Sequence, residues 1–209
     1  SAKLTGIFYS NRFRSVQKET VNFSLCSSHL FPLGGGAIYY YTQDFTNGIV
    51  SGTGLNIVGK VVNEICKNYP NRSLAIISPF NDTVKQLQKS FLTDSSLDDF
   101  TIETIDRIQG MTVDYAILYI PGRNPGFALD ERRFNVATSR SRTTTLIVSD
   151  IPLTNMHSIS PKVASFIMNC QTLDETSIMD CHESESLYDI IERNEIKAIY
   201  PGLEHIVDL

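Results

Sequence analysis

"YAILYI", Tyr115–Ile120, places six apolar or aromatic residues in a row. A strand with one face in water alternates polar and apolar side chains. This run does not alternate, so it reads as a strand buried on both faces. "LAIIS", Leu74–Ser78, has the same character, and "TTLIVS", Thr144–Ser149, closes the series. "AIYYYT", Ala37–Thr42, and "FTIETI", Phe100–Ile105, are rich in strand formers. Helical faces lie between these runs. Ile57, Val58, Val61, Val62, Ile65 and Cys66 form one from Asn56 onward, and Val84, Leu87 and Phe91 form another. A third helix is expected over Glu131–Ser141. Strands alternating with helices imply an α/β domain whose mainly parallel sheet is covered on both faces.

The 209 residues suffice for one sizeable core, and 42% hydrophobic with 20% charged residues is a globular composition. No apolar run approaches the roughly 18 residues of a membrane span. The first residue is Ser rather than Met, which fits a processed or excised piece of a longer chain. Cys26, Cys66, Cys170 and Cys181 lie far apart, without C-x-x-C or Cys/His ligand spacing, so no metal site is expected. Unpaired thiols suit a reducing cytoplasm. The net charge of −5 argues against non-specific coating of nucleic acid. The charge is uneven, however. Arg132, Arg133, Arg140 and Arg142 crowd one stretch, while the tail from Asp174 to Glu195 is acidic. After Pro152 the character changes, and "SPKVASFIMN" and "SESLYDIIERNE" read as helices of a C-terminal extension, residues 153–209.

One segment imitates a phosphate loop. "GLNIVGKV", Gly54–Val61, fits G-x-x-x-x-G-K, but Val61 stands where Ser or Thr would bind magnesium. Gly59, Lys60 and Val61 also fall inside the helical periodicity, whereas a phosphate loop precedes its helix. The segment reads as a turn entering a helix, with Lys60 on its surface.

Phe100–Asp150 carries the chemistry. "TIETIDRIQG" leads through a buried strand into "RRFNVATSRSRTTTLIVSD". Arg keeps its charge and binds phosphate oxygens through two parallel hydrogen bonds, so this segment suits an anion grip. Surface ion pairs of little energetic weight explain the same arginines equally well.

Here the chain resembles the superfamily 1 helicases. "ETIDRIQG" is similar to their motif V, T-x-D-x-x-Q-G, and "RRFNVATSRSR" to motif VI, R-x-N-V-A-x-[ST]-R-x-[RK]. Their order and roughly 20-residue spacing also match. The combination resembles the 1B subgroup that includes the nonsense-mediated-decay helicase. "IISPF", Ile76–Phe80, looks like motif IV, and "RFRS", Arg12–Ser15, like the Y-R-[MS] signature that opens the second motor domain. "SGTGLNIVGKVVNEI" matches the helix preceding motif IV, which agrees with a helix rather than a phosphate loop.

The resemblance covers about residues 10–150 and implies a three-layer RecA-like domain, of P-loop NTPase type but lacking its own phosphate loop, over residues 1–152. It implies that Arg140 is an arginine finger, that Arg14 is a second γ-phosphate contact and that Phe13 lies against the adenine. Gln109 and Gly110 would face the nucleotide, Arg133 and Asn135 would position the motif VI helix, and Ser78, Pro79 and Thr104 would touch a single strand. ATP and Mg2+ would be bound mainly by an upstream RecA-like domain of the same polypeptide. The other partner would be single-stranded DNA or RNA, with no membrane. Two positions depart from the pattern: Thr112 replaces a Glu and Thr83 a Gln. The departures leave open a non-catalytic, degenerate helicase-like binding module. A self-contained phosphate-loop NTPase is opposed by Val61 and by the lack of an acidic pair ending an apolar strand.

Overall fold

The computed structural model describes residues 6–9, 36–44, 50–69, 71–91, 100–153 and 159–172. A 3-10 turn, Gly6–Tyr9, precedes strand β1 (Gly36–Tyr41), helix α1 (Gly52–Asn68), β2 (Leu74–Ser78), α2 (Asn81–Phe91), β3 (Phe100–Thr104) and β4 (Val113–Ile120). There follow a short helix α3 (Pro125–Ala128), α4 (Glu131–Thr138), β5 (Ser141–Ser149), α5 (Pro161–Met168) and the two-residue β6 (Gln171–Thr172). The six strands form one sheet in the order β3-β2-β4-β5-β1-β6, and every pairing is parallel.

Successive side chains of a strand point to opposite faces, and both faces here are covered. On one, Ile57, Val58, Val61, Val62 and Ile65 of α1 and Val84 and Leu87 of α2 pack on Leu74, Ile76, Tyr115 and Ile117. On the other, Phe134 and Ala137 of α4 and Val163, Phe166 and Ile167 of α5 pack on Ala75, Ile77, Ala116 and Leu118. That double burial is why the central strands β2 and β4 carry continuous apolar runs, whereas the edge strands β3 and β6 do not. The fold is the three-layer, RecA-like α/β domain with a parallel sheet that the sequence implies. No described helix is long and apolar enough to cross a membrane.

Within residues 153–209, α5 joins the second face and β6 pairs with β1, Ile38 opposite Gln171. "SESLYDIIERNE" lies outside the described residues, as do Cys26 and Cys181.

Two boundaries differ from the sequence reading. Helix α1 begins at Gly52, capped by Ser51, whose hydroxyl accepts a hydrogen bond from the Gly54 amide at 2.8 Å. Helix α4 ends at Thr138 rather than Ser141, because the sheet claims the chain beyond it. The Val113 amide bonds to the Arg140 carbonyl at 3.0 Å, and Ser141 pairs with Val113. Thr143, Thr144 and Thr145, β-branched and strand-favouring, continue that pairing. Arg140 therefore sits in the turn after α4, and Arg142 lies on β5.

The C-terminal ends of β4 and β5 meet the start of α1 around one buried carboxylate. Asp150 accepts hydrogen bonds from the hydroxyls of Thr42 (2.9 Å), Ser51 (2.6 Å) and Tyr119 (2.6 Å). The Tyr119 hydroxyl in turn accepts from the Ser51 amide at 3.0 Å. Gly54 lies against this group. A Cβ there would stand 2.3 Å from the Tyr119 hydroxyl oxygen and 2.8 Å from the Ser51 hydroxyl oxygen.

Gly54→Ala is expected to destabilise the domain by about 1–3 kcal/mol through overpacking. Gly59→Ala, whose Cβ would meet only Phe91 at an ordinary 3.5 Å, is expected to be neutral or to stabilise by up to about 1 kcal/mol. Urea denaturation of the two variants reads the difference, and equal midpoints would contradict the close approach.

Cysteine chemistry gives a second test. Cys170 is buried, its thiol donates to the Phe166 carbonyl at 3.4 Å, and burial pushes its pKa up to about 12. The folded pKa exceeds the unfolded one, so this thiol favours folding below about pH 9 and loses that contribution as pH rises toward 12. The thiolate is the reacting form. At pH 8, iodoacetamide should modify the partly exposed Cys66 roughly tenfold or more faster than Cys170, as read by peptide mass spectrometry. Equal rates would refute the burial of Cys170.

Candidate functional site

The motif residues gather around the crossover from β3 to β4 and around α4. After Thr104 the chain makes a turn over residues 105–110, with the Arg107 and Ile108 amides both bonding to the Thr104 carbonyl at 3.1 Å. Ile105 and Ile108 pin the turn to the second face. Gln109 and Gly110 are left exposed at its end. Gly110 has φ +91, a left-handed value that a side chain rarely adopts, so the turn requires glycine here.

Helix α4 starts from Asp130, whose carboxylate accepts a hydrogen bond from the Arg133 amide at 3.1 Å. Phe134 and Ala137 anchor its inner side, and Arg132, Arg133 and Val136 are turned toward the 105–110 turn. Between helix and turn lies a groove of about 530 Å³, lined by Ile105, Asp106, Gln109, Asp130, Arg132, Arg133 and Val136. Two arginines and a glutamine thus share one polar groove. The two aspartates moderate its charge.

Arg140 adjoins the groove through Val136. Its Nε donates to the Val136 carbonyl (2.8 Å), one terminal nitrogen to the Met111 carbonyl (3.3 Å) and the other to the Ser139 hydroxyl (3.0 Å). Three of the five donors of a guanidinium are so engaged, and two remain. Arg142 is exposed on β5 and lies 3.9 Å from Asp114, which also faces Arg72 at 3.6 Å. It takes no part in the groove. Asn135 donates to the Tyr9 hydroxyl at 2.8 Å, which ties the Gly6–Tyr9 turn to α4.

Ser78 and Thr104 are register partners at the C-terminal ends of β2 and β3. Both are buried, and the Ser78 hydroxyl has no hydrogen-bond partner among the described residues. Pro79 follows, half-buried, beside Phe80, whose ring stacks on Phe127 with centroids 5.4 Å apart. Thr83 is buried inside α2, and Thr112 is exposed. Phe13 and Arg14 lie outside the described residues.

The Gly54–Val61 segment is helix throughout, within Gly52–Asn68. Its cap, Ser51, is bonded to Asp150 and Tyr119, so the helix start is closed by the protein's own groups. The features that sequence reading passed over are this carboxylate cluster, Phe127 on the short α3, and Tyr9. "NPGFALD", Asn124–Asp130, carries two helix-capping residues at its ends, which were the available signal.

A parallel sheet with basic and amide side chains at its crossovers makes this an α/β domain with a polar groove at one crossover. The family described as an AAA domain matches residues 39–152, and the chain belongs to that family. DNA polymerase alpha-associated DNA helicase A of Saccharomyces cerevisiae is 38% identical over 88 residues, a match that covers 40% of this chain and 13% of that protein. Among solved structures, the C-terminal domain of a possible DNA helicase from Lactobacillus plantarum WCFS1 aligns with 83% of this chain and 98% of its own, at 11% identity and TM-score 0.46. Domain III of the Thermotoga maritima replication initiation protein DnaA covers 77% and 69% respectively, at 13% identity and TM-score 0.38.

The bonds of Arg140 are partly solvated, so Arg140→Ala should cost only about 1 kcal/mol of stability. Urea denaturation checks this. A loss of several kcal/mol would make Arg140 a structural residue first.

Proposed function

We propose that the chain is the second motor domain of an ATP-dependent superfamily 1 helicase of the nonsense-mediated-decay-helicase subgroup, moving along single-stranded nucleic acid. The observation that carries this reading is Arg140 at the end of α4, held beside a groove that gathers Gln109, Arg132 and Arg133. The 38% identity to part of a DNA helicase supports it and favours DNA over RNA.

In this reading Arg140 is the arginine finger. Its two uncommitted donors meet the γ-phosphate when an upstream RecA-like domain closes against this one. Gln109 and Gly110 face the same phosphate, with Arg133 above them, and Arg14 and Phe13 supply a second phosphate contact and an adenine contact. The residues of the groove fit an anionic phosphate. No cluster of three or more metal-ligating side chains lies among the described residues, and Val61 of α1 brings no hydroxyl, so this reading assigns the metal and most of the ATP to the upstream domain. ATP hydrolysis then opens and closes the cleft. The end of β2 and β3, with Ser78, Pro79 and Thr104, shifts its hold on the strand. A non-catalytic binding module is the second reading. One observation favours it: Ser78 is fully buried, so its side chain meets no strand in this conformation.

With the upstream domain present and single strand saturating, Arg140→Ala should lower kcat by roughly 10³–10⁵ while nucleotide binding persists. Arg140→Lys should fail as well, because a point charge does not reproduce the planar fork. Arg142→Ala should retain activity. The 209-residue chain alone should not turn over ATP. Steady-state ATPase assays with a fluorescent-nucleotide binding control measure all four. A near wild-type kcat for Arg140→Ala would remove the finger, and no turnover by the wild type with its upstream domain would leave the binding-module reading.

A further inference from the structure

Arg133 is held in an unusual way for a residue lining a polar groove. Among the described residues its guanidinium has one partner, the ring of Phe127, with Cζ 4.1 Å from the ring centroid. Its Nε is buried and has no acceptor. Asp130, nearby in the groove, caps α4 through the Arg133 amide and forms no ion pair with its side chain.

Phe127 is itself fixed. Asn124, in the left-handed region at φ 38, accepts a hydrogen bond from the Phe127 amide at 3.3 Å and starts α3. The Phe127 ring stacks on Phe80 at 28° between planes, and Arg123 lies over Phe80 at 4.4 Å.

We propose that Phe127 is a positioning residue that holds the Arg133 guanidinium ready for a phosphate oxyanion in the groove. The inference rests on the reading of that groove as phosphate-facing. An arginine can be fixed by a carboxylate or by an aromatic face. A carboxylate occupies the hydrogen-bonding fork, which then has less to offer a ligand. A ring attracts the cation through its quadrupole and uses none of the donors. Phe127 thus orders the side chain without engaging the terminal nitrogens of its fork.

The test uses the 209-residue chain with 15N-labelled arginine and inorganic tripolyphosphate as the probe. In the wild type and in Phe127→Tyr, the Arg133 Hδ protons should be shifted upfield by the ring, and tripolyphosphate should bind with affinities within about twofold of each other. Phe127→Leu keeps an apolar side chain of similar bulk but removes the π face. It should abolish the upfield shift and weaken binding roughly five- to tenfold. In an Arg133→Ala background, Phe127→Leu should cause no further loss, since the ring acts through Arg133.

Equal affinities for the Leu and Tyr variants would overturn the proposal while leaving Arg133 as a phosphate contact. Unchanged binding in Arg133→Ala, with the upfield shift intact in the wild type, would instead overturn the phosphate reading of the groove, and the proposal with it.

Discussion

The carboxylate of Asp150 is the constraint on which the rest of the architecture depends. It is fully buried, and an isolated carboxylate is very costly to take out of water. Three hydroxyls make it tolerable. They come from Thr42 after β1, Ser51 at the start of α1 and Tyr119 near the end of β4, while Asp150 itself follows β5. No segment can move without leaving a buried carboxyl oxygen short of a partner. The Tyr119 hydroxyl is correspondingly hard to ionise, chiefly through burial and also because it donates to Asp150. At the opposite end of the sheet, Asp114 has an analogous role on a smaller scale: its carboxylate accepts from the Ser73 amide and hydroxyl at 3.1 and 3.0 Å, fixing the starts of β2 and β4.

With the sheet clamped at both ends, the crossovers have little freedom, and the site is made of crossovers. The chain must travel from the top of β3 at Thr104 to the bottom of β4 at Val113 in eight intervening residues. A coiled turn seated on Ile105 and Ile108 accomplishes this and leaves Gln109 and Gly110 outward. From the top of β4 the chain returns through α3 and α4, and the pairing of Val113 with Ser141 stops α4 at Thr138. Arg140 is thereby held next to Met111.

Much of this was legible in the sequence. Strands β1, β2, β4 and β5 were plain because burial on both faces leaves apolar runs, and α1 and α2 showed their apolar periodicity, whereas the two exposed residues of β6 gave no signal. What was not legible has a common cause. The start of α1 is decided by Ser51, but its capping hydroxyl is secured by Asp150, 99 residues away. The end of α4 is decided by strand register, while Arg140 and Arg142 by themselves suit a helix well. The types of residue in the groove could be read from "RIQG" and "RRFNVATSR", because arginine and glutamine are chemically specific. Phe127 could not, since an aromatic residue in a short connection reads as core filling, and its contact with Arg133 exists only once α3 and α4 are folded beside each other.

The same carboxylate also explains why a near-perfect G-x-x-x-x-G-K is no phosphate loop. The segment between β1 and α1 is where a strand leads into a helix start, which is the place such a loop needs. A helix N-terminus favours a negative charge, through its unpaired amides and its dipole. Here that demand is met from within: Ser51 caps the helix and bonds to Asp150, and Tyr119 takes the Ser51 amide. A phosphate would have to displace a buried carboxylate with three hydrogen bonds. Gly54 is then explained without any ligand, by the Tyr119 hydroxyl that a Cβ would strike. The helix start thus serves the domain's own stability, and the arginines of the groove stand elsewhere, on the 105–110 and α4 side of the sheet.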